Sequence, residues 1–132
     1  MMIASRARFF LVLLTTVASI AAAHAARAEE TAAAGARAYD GVYVVDLYTD
    51  QGSCEKERQV IVAVAGGHVA STNDITVQSS GHIDQRGVVS LAVRRDRDVA
   101  HVAGKVNGKS GSGTWSSPTA LCGGRWRAER RG

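Results

Sequence analysis

From residue 39 onward the chain is cut into short pieces by turn signals, and no piece carries a helix-period apolar run of useful length. Gly66-Gly67, Asn73-Asp74, Asp84-Gln85-Arg86-Gly87, the charged Arg95-Asp96-Arg97-Asp98 and Asn107-Gly108 stand between runs rich in valine. Paired glycines and Asn-Gly accept the positive φ angles that tight hairpins require, and Asp at the start with Gly at the end suits a four-residue turn. The intervening runs are predicted as strands at 41–49 (GVYVVDLYT), 58–65, 68–72, 75–84, 88–94, 99–106, 110–116 and 122–130. Short β-branched runs between turns are the signature of an all-β fold. Gly81, inside the fourth run, is read as a β-bulge.

Alternation assigns a face to each run. Tyr43, Val45 and Leu47 share one side, as do Val89, Leu91 and Val93, and so do Ala100, Val102, Gly104 and Val106. About eight strands joined mostly by short turns favour a small antiparallel up-and-down meander, curled into a barrel or flattened into a sandwich. The two cysteines agree with a barrel. In an even-stranded antiparallel barrel the first and last strands are neighbours. Cys54 follows the first strand and Cys122 begins the last, so one disulfide between them would latch the barrel shut.

The N-terminus sets the expected compartment. Residues 1–8 carry two arginines and no acid, residues 9–23 (FFLVLLTTVASIAAA) are apolar, and small residues follow. That order reads as a secretory signal peptide over residues 1–25, cleaved after Ala25 or Ala28. The apolar run falls short of the roughly 20 residues that span a bilayer. No membrane anchor is therefore expected after cleavage. Residues 26–38 read as a disordered, alanine-rich lead-in, and residues 39–132 as a single β-domain. A periplasmic or secreted location follows, where two cysteines pair rather than stay free.

Over residues 39–132 there are twelve Lys and Arg against ten Asp and Glu. Nucleic-acid binders show a stronger and more clustered excess, so no nucleic-acid partner is expected. The arginines fall into two groups, Arg94, Arg95 and Arg97 at one turn and Arg125, Arg127, Arg130 and Arg131 at the C-terminus. Adjacent on a barrel, they would form a basic patch suited to an envelope glycan or an acidic protein. Apart, they are ordinary solvated charges.

The closing segment SGSGTWSSPTALCGGRW holds both tryptophans. Trp126 and Ala128 share a face, with Arg125 and Arg127 opposite. Gly111, Gly113 and Trp115 share a face on the preceding strand. Glycines beside a large ring leave room for it in a curved sheet. Packing into the core is one reading of each tryptophan, and stacking on a sugar or apolar ligand at the barrel mouth is the other. Trp115, Trp126, Arg125 and Arg127 are accordingly the candidate ligand-binding residues.

The pattern Asp40-Gly41-x-Tyr43, Cys54, Gly66-Gly67-x-Val69, Ser80-Gly81, Ser110-Gly111-Ser112-Gly113-x-Trp115 and Cys122-Gly123-Gly124-Arg125-Trp126-x-Ala128-x-Arg130-Arg131 resembles a family of small secreted alphaproteobacterial β-domains. That family has no established activity, and the resemblance covers the whole expected mature domain. A local likeness also exists to periplasmic lysozyme-inhibitor barrels, which share a small barrel, a disulfide and a Ser-Gly-rich stretch near an aromatic.

Catalytic and cofactor motifs are weaker. The segment from Gly104 to Ser110 is one residue short of a phosphate-binding P-loop, and a strand rather than a helix follows it. His68, His82 and His101 lack the short spacing of a zinc or haem site, so no metal or cofactor is expected. Asp96 and Asp98 alternate with arginines that offset their field, which disfavours calcium. His82 and Asp84 share a face and could form a His–carboxylate pair, but no nucleophile elbow accompanies them. The expectation is a non-catalytic secreted or periplasmic binding module. The alternatives are an inhibitor or effector of a cell-envelope hydrolase acting through residues 116–121, and a small hydrolase using His82 and Asp84.

Overall fold

Eight antiparallel strands form one sheet in a computed structural model that describes residues 37–131. The expected signal peptide and nearly all of the lead-in lie outside the described residues. The strands are β1 (Gly41–Gln51), β2 (Glu57–Ala65), β3 (His68–Thr72), β4 (Val77–Ile83), β5 (Val88–Arg95), β6 (Asp98–Asn107), β7 (Ser110–Ser117) and β8 (Cys122–Arg130). Their order in the sheet is β3-β2-β1-β8-β7-β6-β5-β4, so every sequential pair but one is a ladder and β1 pairs with β8. This is the up-and-down meander, curled into a nearly closed barrel. Cys54 and Cys122 form the expected disulfide, with Cα atoms 6.0 Å apart.

The remaining junction, between β3 and β4, is a seam without a regular ladder. The Ile83 N–H donates to the Gly67 carbonyl (2.7 Å), and His68 Nδ1 donates to the Gly81 carbonyl (2.9 Å). Both bonds lie toward one end of the seam. Toward the other end Asp74, in the β3–β4 loop, receives Arg58 of β2 at 2.9 Å and Arg95 of β5 at 3.5 Å. Side chains thus tie the edge that the backbone leaves open.

Local chemistry explains where the strands stop. Asp74 Oδ1 accepts the N–H and the hydroxyl of Thr76 (3.0 and 2.6 Å), which bends the chain. The fourth strand therefore begins at Val77, not at residue 75. It ends at Ile83 because Asp84 Oδ1 accepts the N–H groups of Arg86 and Val88 (2.8 and 3.0 Å). Gly81 is not a bulge: its ladder with β5 runs unbroken from Val77 to Ile83. Its φ is 100°, and a Cβ there would run into the Ser90 carbonyl. The register shifts occur instead between Thr49 and Gln51 and between Ala63 and Val64.

The meander gives the barrel two unlike ends. Buried side chains gather where β1 and β5 begin and where β2, β4, β6 and β8 finish: Tyr43, Val64, Ile83, Val89, Val106 and Trp126, with Ala128 beside them. Apart from Trp126, at mid-strand, these positions lie at one end, while Ser117 and Cys122 are buried at the other. Tyr39 and Asp40 lace across the first end. Tyr43 Oη donates to the Tyr39 carbonyl (2.7 Å), Tyr39 Oη to the Gln85 carbonyl (3.3 Å), and the Gly67 N–H to Asp40 (3.3 Å). Burial is the main influence on Tyr43, holding its phenol above the usual tyrosine range against the opposing pull of Arg130. Full burial of a large apolar side chain stabilises by about 1.5–3 kcal/mol, so this end is the stability core.

Candidate functional site

The interior beyond the buried cluster is not filled, and the cluster itself borders the open space. A cavity of about 460 Å³ lies within the barrel, inside the range of roughly 300–1,000 Å³ typical of small-molecule sites. An eight-stranded barrel has an interior that side chains can just fill or that can hold one small ligand. Both conditions occur along the same strands here. The inward rows of β1, β2, β5 and β6 pass from a buried residue near the closed end to half-buried ones farther along, whereas Ser117 of β7 and Cys122 of β8 are buried at the mouth. Val45, Leu47, Val62, Leu91, Val102 and Trp115 make the wall.

The two tryptophans take different parts. Trp126 is 5 % exposed and belongs to the floor. Its indole Nε1 donates to the Ala103 carbonyl at 3.0 Å, which satisfies the one polar atom of the ring. The ring lies over Gly104, Gly111 and Gly113. A Cβ at Gly104 would come within 2.6 Å of Trp126 Cζ2, and one at Gly113 within 2.7 Å of Nε1. These glycines make the space that the ring occupies. Trp115 is half-buried, lines the cavity, and donates from Nε1 to the Tyr48 carbonyl at 3.1 Å. Opposite it in the ladder is Gly124, where a Cβ would run into the Tyr48 carbonyl.

Arg125 and Arg127 stand on the outer wall. Arg125 makes a two-pronged pair with Asp50, Nε to Oδ2 at 2.8 Å and Nη2 to Oδ1 at 3.0 Å, and its guanidinium lies 5.7 Å from the Tyr48 ring centre. That pair joins β8 to the end of β1. Arg127 is exposed, beside Asp46 of β1 and Ser112 of β7 in the ladders. The two arginine groups do not form one patch. β6 and β7 separate β5 from β8, and Arg130 and Arg131 lie at the closed end while Arg95 and Arg97 lie at the mouth.

His82 is exposed, with its ring centre 6.3 Å from that of His68. The Asp84 carboxylate instead accepts backbone N–H groups of its own turn. His101 lies beside a shallow outer depression floored by Ser80, Ser90, Ala92 and Ala103. Among the described residues no group of three or more His, Cys, Asp or Glu side chains could hold a metal ion.

Sequence reasoning missed the polar rim. Arg58, Asp74 and Arg95 line the cavity at its mouth. Arg58 occupies the inward row of β2 below Val60, and Arg95 continues the row of Val89, Leu91 and Val93. Period-two alternation could have found both. Asp74 depended on where a loop folds. Its carboxyl is held below the usual range, first by the Thr76 hydroxyl and N–H and then by Arg95 and Arg58. The same direction holds for Asp50, through Arg125, and for Asp84, through the N–H groups of Val88 and Arg86.

A carboxyl whose folded pKa is depressed contributes stability that is present above its unfolded pKa, about 3.9, and is lost as pH falls through the folded value. The melting temperature is therefore expected to stay level down to about pH 5 and to fall below about pH 4. Circular dichroism melts across pH test this. An unchanged midpoint at about pH 3, or an identical acid loss in an Asp74→Asn, Asp84→Asn variant, would refute the assignment.

No protein-family model matches the chain, and neither a curated protein nor a solved structure matches it.

Proposed function

We propose that this chain is a non-catalytic, secreted or periplasmic binding module that takes a small, largely apolar molecule into the barrel through its mouth. The supporting observation is the division of one interior into a packed floor and an apolar cup of about 460 Å³. A chain of this length could fill an eight-stranded barrel with side chains. Here the wall combines Val45, Val62, Val93, Ala100 and Val102 with Leu47, Leu91 and Trp115, and open space remains between them. Trp115 supplies a rigid aromatic surface to that cup, since its indole is tethered to the Tyr48 carbonyl.

A neutral naphthylamine dye, which brightens in apolar surroundings, tests the reading. The wild-type protein is expected to bind it with a matching change in Trp115 emission. A Val93→Trp variant, which fills the cup without touching the floor, is expected to lose at least about tenfold in affinity while keeping its melting temperature. Unaltered dye binding in that variant would reject the cup as the site. Native mass spectrometry of protein purified from its own cells then reads the mass of any retained molecule.

One observation favours a second reading, inhibition or modulation of a cell-envelope hydrolase. Leu121 is 79 % exposed with φ at 56°, on a mouth loop pinned through Ser117 and Thr119 to Val99. A presented apolar side chain on a fixed loop suits a protein partner. Leu121→Asp would abolish inhibition under this reading and leave dye binding intact.

A further inference from the structure

We infer that the cup's ligand is a single-chain amphiphile with one anionic end group, its tail against Trp115 and its head between Arg58 and Arg95. This inference rests on the proposed cup and adds the chemistry of what enters it. The interior grades from apolar to charged along one axis. Apolar side chains surround the deep part, and the two guanidiniums stand at the mouth with side-chain exposures of 34 % and 48 %.

The state of Asp74 makes those guanidiniums available. Its Oδ1 already accepts two bonds from Thr76, while its Oδ2 is shared between Arg58 Nη2 and Arg95 Nε. The carboxylate accepts three hydrogen bonds and makes one ion-pair contact, and its one negative charge faces two positive ones. Each guanidinium has five N–H donors, of which Asp74 takes only a small part. A carboxylate or a similar small anion entering the mouth would find a planar fork on either side, a geometry arginine matches well.

Other charges at the rim refine the class. Glu55 and Asp98 also line the mouth, and Arg95 is opposite Asp98 in the ladder. They disfavour an end group bearing several negative charges. With Asp74 they make three carboxylates against two guanidiniums, so the attraction of a single anionic end group rests on direct hydrogen bonds from the Arg58 and Arg95 forks and not on a net positive rim. The tail is set by the walls: from Arg58 to Val62 the strand rises roughly 13 Å, at about 3.3 Å per residue. That depth suits a medium-length unbranched chain.

Titrations of the purified protein with decanoate, decyl sulfate, decanol and decyltrimethylammonium, followed through tryptophan emission below micelle-forming concentrations, separate tail from head. Decanoate or decyl sulfate is expected to bind about tenfold or more tighter than decanol, and the ammonium compound weakest. The better of the two anions distinguishes a planar from a tetrahedral end group. In Arg58→Gln and Arg95→Gln the ratio of anion to alcohol affinity is expected to fall toward one. Asp74→Asn, which removes the competing carboxylate, is expected to raise it. Equal binding of anion and alcohol, or preference for the ammonium compound, would overturn the head-group assignment while leaving the apolar cup in place. Failure of every chain to bind would reject the cup and this inference together.

Discussion

Replacing Trp126 with alanine is expected to remove about 3–5 kcal/mol of folding stability, the usual cost of deleting a buried tryptophan. The magnitude follows from what surrounds the ring. Gly104, Gly111 and Gly113 leave a backbone surface with no side chains to collapse into the space. The void would therefore persist, and the penalty grows with the void that remains. The Ala103 carbonyl would also lose its indole partner. Against a typical total of about 5–15 kcal/mol, the variant would be marginal at room temperature. Trp115→Ala is expected to behave differently. Its ring is half-buried and already borders an open cavity, so deletion forfeits less packing, about half as much or less on the same scale. Urea denaturation of the two variants reads the contrast, and dye binding provides the second axis. Trp126→Ala should bind in proportion to its folded fraction, whereas Trp115→Ala should stay folded and bind poorly. Equal destabilisation by the two changes would show that the cup is a packed core.

Loss of the Cys54–Cys122 bond is the second large effect. The cysteines are 68 residues apart, and a cross-link closing a loop of that size removes roughly 4 kcal/mol of unfolded-state entropy. The effect in the folded state is local. Cys122 is buried at the start of β8, and both cysteines border the mouth. The Cys54→Ala, Cys122→Ala variant is therefore expected to retain the β1–β8 ladder while its urea midpoint drops by the equivalent of about 4 kcal/mol. Alanine avoids placing a hydroxyl in the buried Cys122 position. Reduction of the wild type should produce the same shift. A loss below about 1 kcal/mol would mean that the ladder and the Arg125–Asp50 pair already hold β1 to β8, with the disulfide adding little.

Much of the fold was legible because period-two alternation and turn chemistry are local. Tyr43, Val45 and Leu47, then Val89, Leu91 and Val93, then Gly113 and Trp115 all face inward as their alternation requires. The glycines opposite Trp126 also served the role that residue size implied. Errors came where a side chain redirected the backbone. Asp74 and Asp84 shortened the fourth strand at both ends, and Gly81 met a close backbone contact rather than making a bulge. Asp84 also binds its own turn, which local pattern did not reveal.

Sequence alone determined the strand count, the inward rows and the pairing of the cysteines, because each follows from neighbours along the chain or from the parity of an antiparallel meander. Only the tertiary structure decided how deeply each inward residue is buried. Trp115 and Trp126 have the same alternation and similar glycine-rich surroundings, yet one is cavity wall and the other is floor. The difference lies in what arrives from across the barrel. Tyr43, Val64, Ile83, Val89 and Val106 converge on Trp126, while half-buried apolar side chains and the Arg58–Asp74–Arg95 cluster face the part that contains Trp115. Convergence of residues from six separate strands depends on how the sheet curls, and no single stretch of the chain encodes it.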